Sequence, residues 1–244
     1  GTRSAWADLM DATTTDMQLI WLRSDLRQHD NTALAAAAAR GPTVAVYLLS
    51  PQQWQEHDDA PCKVDFWLRN LHELSKSLGQ LNIPLLIRTA AHWDQAPAEL
   101  CKLCRQLNIK VVHVNEEYGL NESRRDAAVA EALQAEGIEF HSYLDQLLFK
   151  PGTVLTKTGT YFQVFSQFRK VCYERLHRSM PALVAAPGKQ SPLDIDSDPV
   201  PASVTGFATP SETLRDLWPA GEKEARRRLD TFAVLCEGID ATVY

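Results

Sequence analysis

The apolar positions of this chain fall into two alternating kinds of segment, short runs with almost no polar interruption and longer stretches in which they recur every three or four residues. Leu19–Leu22 is the first run, too uniformly apolar for a half-exposed strand and therefore read as a strand buried on both faces. Val44–Leu49, Ile83–Ile87, Lys110–Asn115 and Ile138–Ser142 are four more of the same kind, with Pro84 placed near the beginning or on an edge. Between them the helical period predicts Thr32–Arg40, capped by Asp30 or Asn31 and stopped at Gly41-Pro42, then helices from about Cys62 to Leu81, Gln95 to Asn108 and Asn121 to Glu136. In the second of these, Trp67, Leu71, Leu74 and Leu78 form the core-facing stripe, and Gly137 closes the last. Pro51–Pro61 reads as a loop.

Five buried strands alternating with four helices is the pattern of a doubly wound, Rossmann-like α/β fold with a parallel sheet. Right-handed crossovers with an expected strand order of 3-2-1-4-5 put strand 1 next to strand 4, so that the loops after them flank one crevice. The chain changes character after residue 145. Residues 146–180 read as a hairpin followed by an aromatic helix that packs on the α/β domain. Residues 181–218 form a proline-rich connector, with six prolines between Pro181 and Pro210. Residues 219–244 read as the first helix of a further, helical region. At the other end, residues 1–16 have no pattern and Met17 opens the first strand, so the preceding segment reads as a leader or upstream extension.

Composition narrows the function. With 45% hydrophobic and 23% charged residues the 244-residue chain is ordinary globular material, and its net charge of -6 makes the whole chain no electrostatic trap for nucleic acid. Five cysteines, an odd number, without a signal-peptide pattern, imply free thiols in a reducing compartment, and the expected location is the cytoplasm. No apolar run is long enough to cross a bilayer. The loop after the first strand, Arg23-Ser-Asp-Leu-Arg27, contains no glycine that would let a pyrophosphate approach the backbone, which argues against a simple dinucleotide site. Its alternating charges, Arg23, Asp25 and Arg27, fit a ligand clamp or, preferably, a buried ion-pair lattice that fixes the loop against a neighbouring domain. Cys101 and Cys104 have redox-motif spacing but fall inside a predicted helix, where packing is the better account, and no metal site is expected. Arg226–Arg228 reads as a solvated basic face.

Several segments resemble the DNA photolyase and cryptochrome family, specifically the N-terminal α/β domain of class I cyclobutane pyrimidine dimer photolyases. The family's opening pattern stands here as Trp21-Leu-Arg23-Ser-Asp25-Leu26-Arg27-Gln-His-Asp30-Asn31. It is accompanied by Ile83-Pro84-Leu85, by Asn115 through Asp126, and by Pro151-Gly152 with Tyr161 through Phe168. The resemblance implies the antenna-binding domain of a flavoprotein that repairs ultraviolet-damaged DNA with blue light, acting as a monomer. It implies 5,10-methenyltetrahydrofolate as the antenna in this domain, and FAD in the protein's own C-terminal domain, a partner expected to lie outside this chain. The chain would then carry no catalytic residue and be inactive alone. In family members with the folate antenna the pterin is held by a histidine in the loop after strand 2 and an Asn-Glu pair opening the helix after strand 4, which carry over to His57, Asn121 and Glu122. A carboxylate such as Glu122 suits the pterin's amino group and adjacent ring N–H, and an amide such as Asn121 suits the mixed edge. Asn and Glu also favour a helix start for capping and dipole reasons alone, and His57 alone reads as a surface-loop histidine. A cryptochrome-type photoreceptor without repair, and a stand-alone nucleotide-binding α/β protein, are the alternatives.

Overall fold

The computed structural model describes residues 16–144, 184–217 and 219–221, which fall in one compact unit apart from residue 221. Five strands form the sheet: β1 (Gln18–Leu22), β2 (Thr43–Leu49), β3 (Leu85–Thr89), β4 (Val111–Asn115) and β5 (Glu139–Tyr143). All four pairings are parallel, as the alternation of strands and helices implies, and the order is the expected β3-β2-β1-β4-β5. β1 is central, and every one of its residues is buried. Because successive side chains point to opposite faces, Leu19 and Trp21 enter one core layer while Ile20 and Leu22 enter the other.

The helices that cover the sheet are α1 (Thr32–Arg40), α3 (Pro61–Gln80), α4 (Ala96–Leu107) and α5 (Leu120–Ala135). Leu34 of α1 and Leu68, Leu71 and Leu78 of α3 close the layer around Ile20, whereas Leu100 of α4 and Val129 and Leu133 of α5 close the layer around Trp21. Asn31, not Asp30, caps α1: its side-chain oxygen accepts from Leu34 N at 3.0 Å. Asp30 instead sits at φ 50, and its carboxylate accepts from Val184 N. At the other end of the last crossover, Gly137 takes φ 73, the left-handed conformation that ends α5.

Four differences from the sequence pattern have physical causes. The segment read as a loop begins with the short helix α2 (Pro51–Glu56), which has proline at its first position and buries Trp54. β3 starts at Leu85 rather than Ile83, after Pro84, which has no N–H to give the ladder. β5 is half-exposed, an edge strand and not a buried one. The connector contains a last short helix, α6 (Glu212–Leu217). Apart from a turn at Val204–Phe207 the rest of its described part has no regular structure, and it covers the β3 edge: Asp198 N donates to Leu85 O at 2.9 Å, and Ser197 Oγ and Asp198 Oδ2 accept from Leu85 N and Ile87 N. Gln190 ties the same segment to β2, donating to Thr43 O and Asn82 O and accepting from Thr43 N. The expected hairpin and aromatic helix, and the helix after residue 219, lie outside the described residues, as do Arg226–Arg228.

Candidate functional site

The carboxyl ends of β1 and β2 open into a cavity of about 520 Å³. Its size and its aromatic lining suit one flat organic ligand. Trp21 comes from β1; Trp54 and Trp67 come from α2 and α3; Trp93 comes from the turn after β3. Trp54 and Trp67 pack with ring centroids 5.5 Å apart. Glu117, from the loop after β4, and Glu122 and Arg125, from the first turns of α5, bring charge to the aromatic walls.

The charged loop after β1 is the frame that holds α5 in place. Arg23 grips Asp126 with both Nη groups, at 2.6 and 3.0 Å, and donates to Asn115 O at 2.5 Å. Asp25 accepts from Arg23 N and from Asn115 Nδ2. Asn115 also donates to Asn31 Oδ1 and accepts from Ala33 N, so one amide joins β4, the β1 loop and α1. The lattice expected for Arg23 and Asp25 is present, with its partners among the described residues on β4 and α5, and Arg27 donates to Asp30 O. Arg23 Nε is buried without an acceptor and lies 3.8 Å from Glu117 Oε1, beyond hydrogen-bond length.

Arg125 lies between two indoles, its Cζ 5.1 Å from the Trp21 ring centroid and 4.5 Å from that of Trp93. It donates to Glu117 at 2.6 Å and to Asp126 at 3.1 Å. Burial alone would raise the Glu117 carboxyl, but Arg23 and Arg125 outweigh it and hold Glu117 below the usual carboxylate range. Burial, reinforced by Glu117, pushes the phenol of Tyr47 above its ordinary value, so it remains a donor in the cavity wall.

Two of the three residues singled out in the sequence meet at this cavity. His57 is exposed at the rim, its ring centroid 5.9 Å from that of Trp93 and its Nε2 2.8 Å from Gln53 Nε2. Glu122 stands at the third position of α5, and its carboxylate folds back over Gly119: a Cβ on Gly119 would lie 1.7 Å from Glu122 Oε2. Asn121 is exposed and does not line the cavity; Gly119, not an asparagine, is the cap residue of α5. The sequence reading passed over Trp54, Trp93, Glu117 and Arg125. The spacing of Arg125, three residues after Glu122 on one helix, was a usable sign that the two share a face. Cys101 and Cys104 are free, buried thiols of α4, and burial pushes the Cys104 thiol up to about 12, which suits packing and not redox work. No group of His, Cys, Asp or Glu among the described residues could hold a metal ion, and no described helix is long and apolar enough to cross a membrane.

A doubly wound parallel sheet with an aromatic, charge-lined cavity at its carboxyl edge makes this an α/β domain with its cavity where the ligand sites of open α/β sheets lie. The DNA photolyase family model matches residues 18–187, and the chain belongs to that family. It is 39% identical over 155 residues to a deoxyribodipyrimidine photo-lyase of Vibrio cholerae, covering 63% of this chain and 33% of that protein. It is 31% identical over 156 residues to cryptochrome-1 of Arabidopsis thaliana, covering 63% of this chain and 22% of that one. Among solved structures, a bacterial class III photolyase from Agrobacterium tumefaciens superposes with a TM-score of 0.62 at 25% identity, covering 89% of this chain and 44% of that chain. The chain thus spans about a third of the Vibrio protein and less than half of the Agrobacterium structure.

Proposed function

We propose that this chain is the antenna-chromophore-binding part of a deoxyribodipyrimidine photolyase, that its ligand is 5,10-methenyltetrahydrofolate, and that His57, Asn121 and Glu122 belong to the binding site. The carrying observation is the convergence of Glu122 and His57 on one tryptophan-walled cavity. The donor set suits the ligand. The pterin's amino group and neighbouring ring N–H form a donor pair that the Glu122 carboxylate accepts in fork fashion, and indoles stack on its flat ring. Asn121, exposed one residue away, would meet the part of the folate that leaves the cavity.

In this reading the chromophore supplies near-ultraviolet absorption and hands its excitation to a reduced FAD held outside the α/β domain. The parent activity is light-driven cleavage of cyclobutane pyrimidine dimers in DNA, and the 244-residue chain alone binds the antenna without repairing DNA. Titrating the chain with 5,10-methenyltetrahydrofolate should produce a bound near-ultraviolet band, weakened at least ~10-fold in affinity by Glu122→Gln, since a charge-assisted pair contributes roughly 1.5–3 kcal/mol. Equal binding by wild type and variant would sink the site; dimer repair by the chain alone would sink the division of labour.

A further inference from the structure

Glu122 accounts for only part of a pterin edge. That edge presents an amino group, a ring N–H and then a carbonyl oxygen, two donors followed by an acceptor, and a carboxylate satisfies the donors alone. Asn121, the residue whose mixed amide would have suited the acceptor, does not line the cavity. Arg125 does, and three residues after Glu122 it projects from the same face of α5.

The guanidinium of Arg125 is only partly committed. Nε donates to Asp126 and Nη2 to Glu117, while Nη1 has no acceptor among the described residues. The side chain is 4% exposed, so this open donor belongs to a group almost wholly withdrawn from solvent. Trp21 and Trp93 on either side fix its plane, and Glu117 and Asp126 fix its rotation. A cation held on four sides, with donors left over and facing a cavity, is preorganised for an acceptor on the ligand.

We propose that Arg125 is a ligand-binding residue of this site, donating from Nη1 to the ring carbonyl oxygen of the heterocycle, beside the carbonyl-adjacent N–H that Glu122 accepts. Glu122 and Arg125 together then read the full donor-donor-acceptor edge, and the site selects 4-oxo heterocycles over flat rings lacking that oxygen. This rests on the reading of the cavity as a folate site.

The test uses the whole chain and 5,10-methenyltetrahydrofolate carrying a heavy isotope at the ring carbonyl, with isotope-edited infrared difference spectroscopy of the bound state. A guanidinium in a dry cavity polarises a carbonyl more than water does, so the carbonyl band of folate bound to wild type should fall below its position in solution. Arg125→Lys, which keeps the charge and loses the fork, should weaken binding at least ~10-fold and return the band towards its solution position. An unshifted band in the wild-type complex overturns the assignment while leaving the folate reading intact. So does a variant that matches wild type in both affinity and band position. No folate binding by wild type overturns the reading of the site and the assignment with it. The wild-type spectrum decides even if the variant fails to fold.

Discussion

His113 should make this domain acid-sensitive from about pH 6.5 downward, starting above the range in which its carboxylates titrate. Its ring is fully buried in β4, packed against the rings of His141 and Tyr143 at 5.6 and 5.8 Å. Gln18 Nε2 is used by Asp16 O, which leaves Gln18 Oε1 as the acceptor 2.8 Å from His113 Nε2. Nε2 therefore carries the proton, and Nδ1 accepts from the Tyr143 hydroxyl at 2.9 Å. A second proton would have to displace that hydroxyl's donor role, inside the core and close to His141 and Arg40, with only Glu139 opposing them. Burial first, then His141 and Arg40, push the His113 pKa down to about 4 from 6.5. With the folded value below the unfolded one, the unfolded chain takes up the proton first as pH falls. The stabilisation is therefore complete above pH 6.5, is lost progressively below it and is exhausted near pH 4. At about 1.36 kcal/mol per pH unit, the gap corresponds to roughly 3 kcal/mol, a large share of a domain's stability. Urea unfolding at intervals between pH 7.5 and 4.5 should show this loss, and His113→Gln, which cannot titrate, should flatten it in that window. A folded-state proton titration of His113 with its midpoint near 6.5, or identical pH slopes for wild type and variant, would refute the argument.

Three further outcomes are expected. Gly119→Ala should leave the fold intact but push the Glu122 carboxylate out of its present position, since the new methyl would overlap Glu122 Oε2; folate affinity should fall several-fold with thermal stability nearly unchanged, and unaltered affinity counts against the role of that rotamer. Asn115→Ala should cost about 2–4 kcal/mol in urea unfolding, because it leaves Asp25 Oδ2 and the Ala33 N–H, both buried, without their partner together; a loss below about 1 kcal/mol would show the amide to be dispensable. Asp65, buried on α3, is held by Arg215 at 2.5 Å and Arg69 at 2.9 Å. Burial alone would raise its carboxyl, and the two arginines hold it below its ordinary value instead. Asp65→Asn should speed amide exchange across Glu212–Leu217 and cost about 1–2 kcal/mol, the half-exposed arginines keeping the figure modest; unchanged exchange there would mean that α6 is held by other contacts.

The fold was legible because its signals are local and repeated: uniform apolar runs, a helical period between them, and asparagine or glycine at the ends. The errors fall where a local signal competes with a tertiary one. α2 was hidden in a polar segment because a single buried tryptophan, Trp54, holds it down, and β5 looked like a core strand because Ile138 and Phe140 are apolar although, among the described residues, the strand has a neighbour on one side only. The cavity was half legible for the same reason. Glu122 could be placed from the motif that contains it, but the walls come from residues 21, 54, 67 and 93, whose convergence depends on the crossovers and not on spacing along the chain.

The loop after β1 joins the two halves of this picture. Its charges looked like architecture, and two of them are: Arg23 spends both Nη groups on Asp126 and the Asn115 carbonyl, and Asp25 secures Asn115. Yet the residue so gripped, Asp126, directly follows Arg125 and lies one helical turn beyond Glu122. Fixing Asp126 fixes the rotation of α5 about its own axis, and that rotation decides which side chains face the cavity. A charged loop whose Arg23 and Ser24 line part of the cavity thus also sets the angle at which a carboxylate and a guanidinium are presented to the ligand, and the most recognisable stretch of the sequence acts on the site largely through the helix it holds.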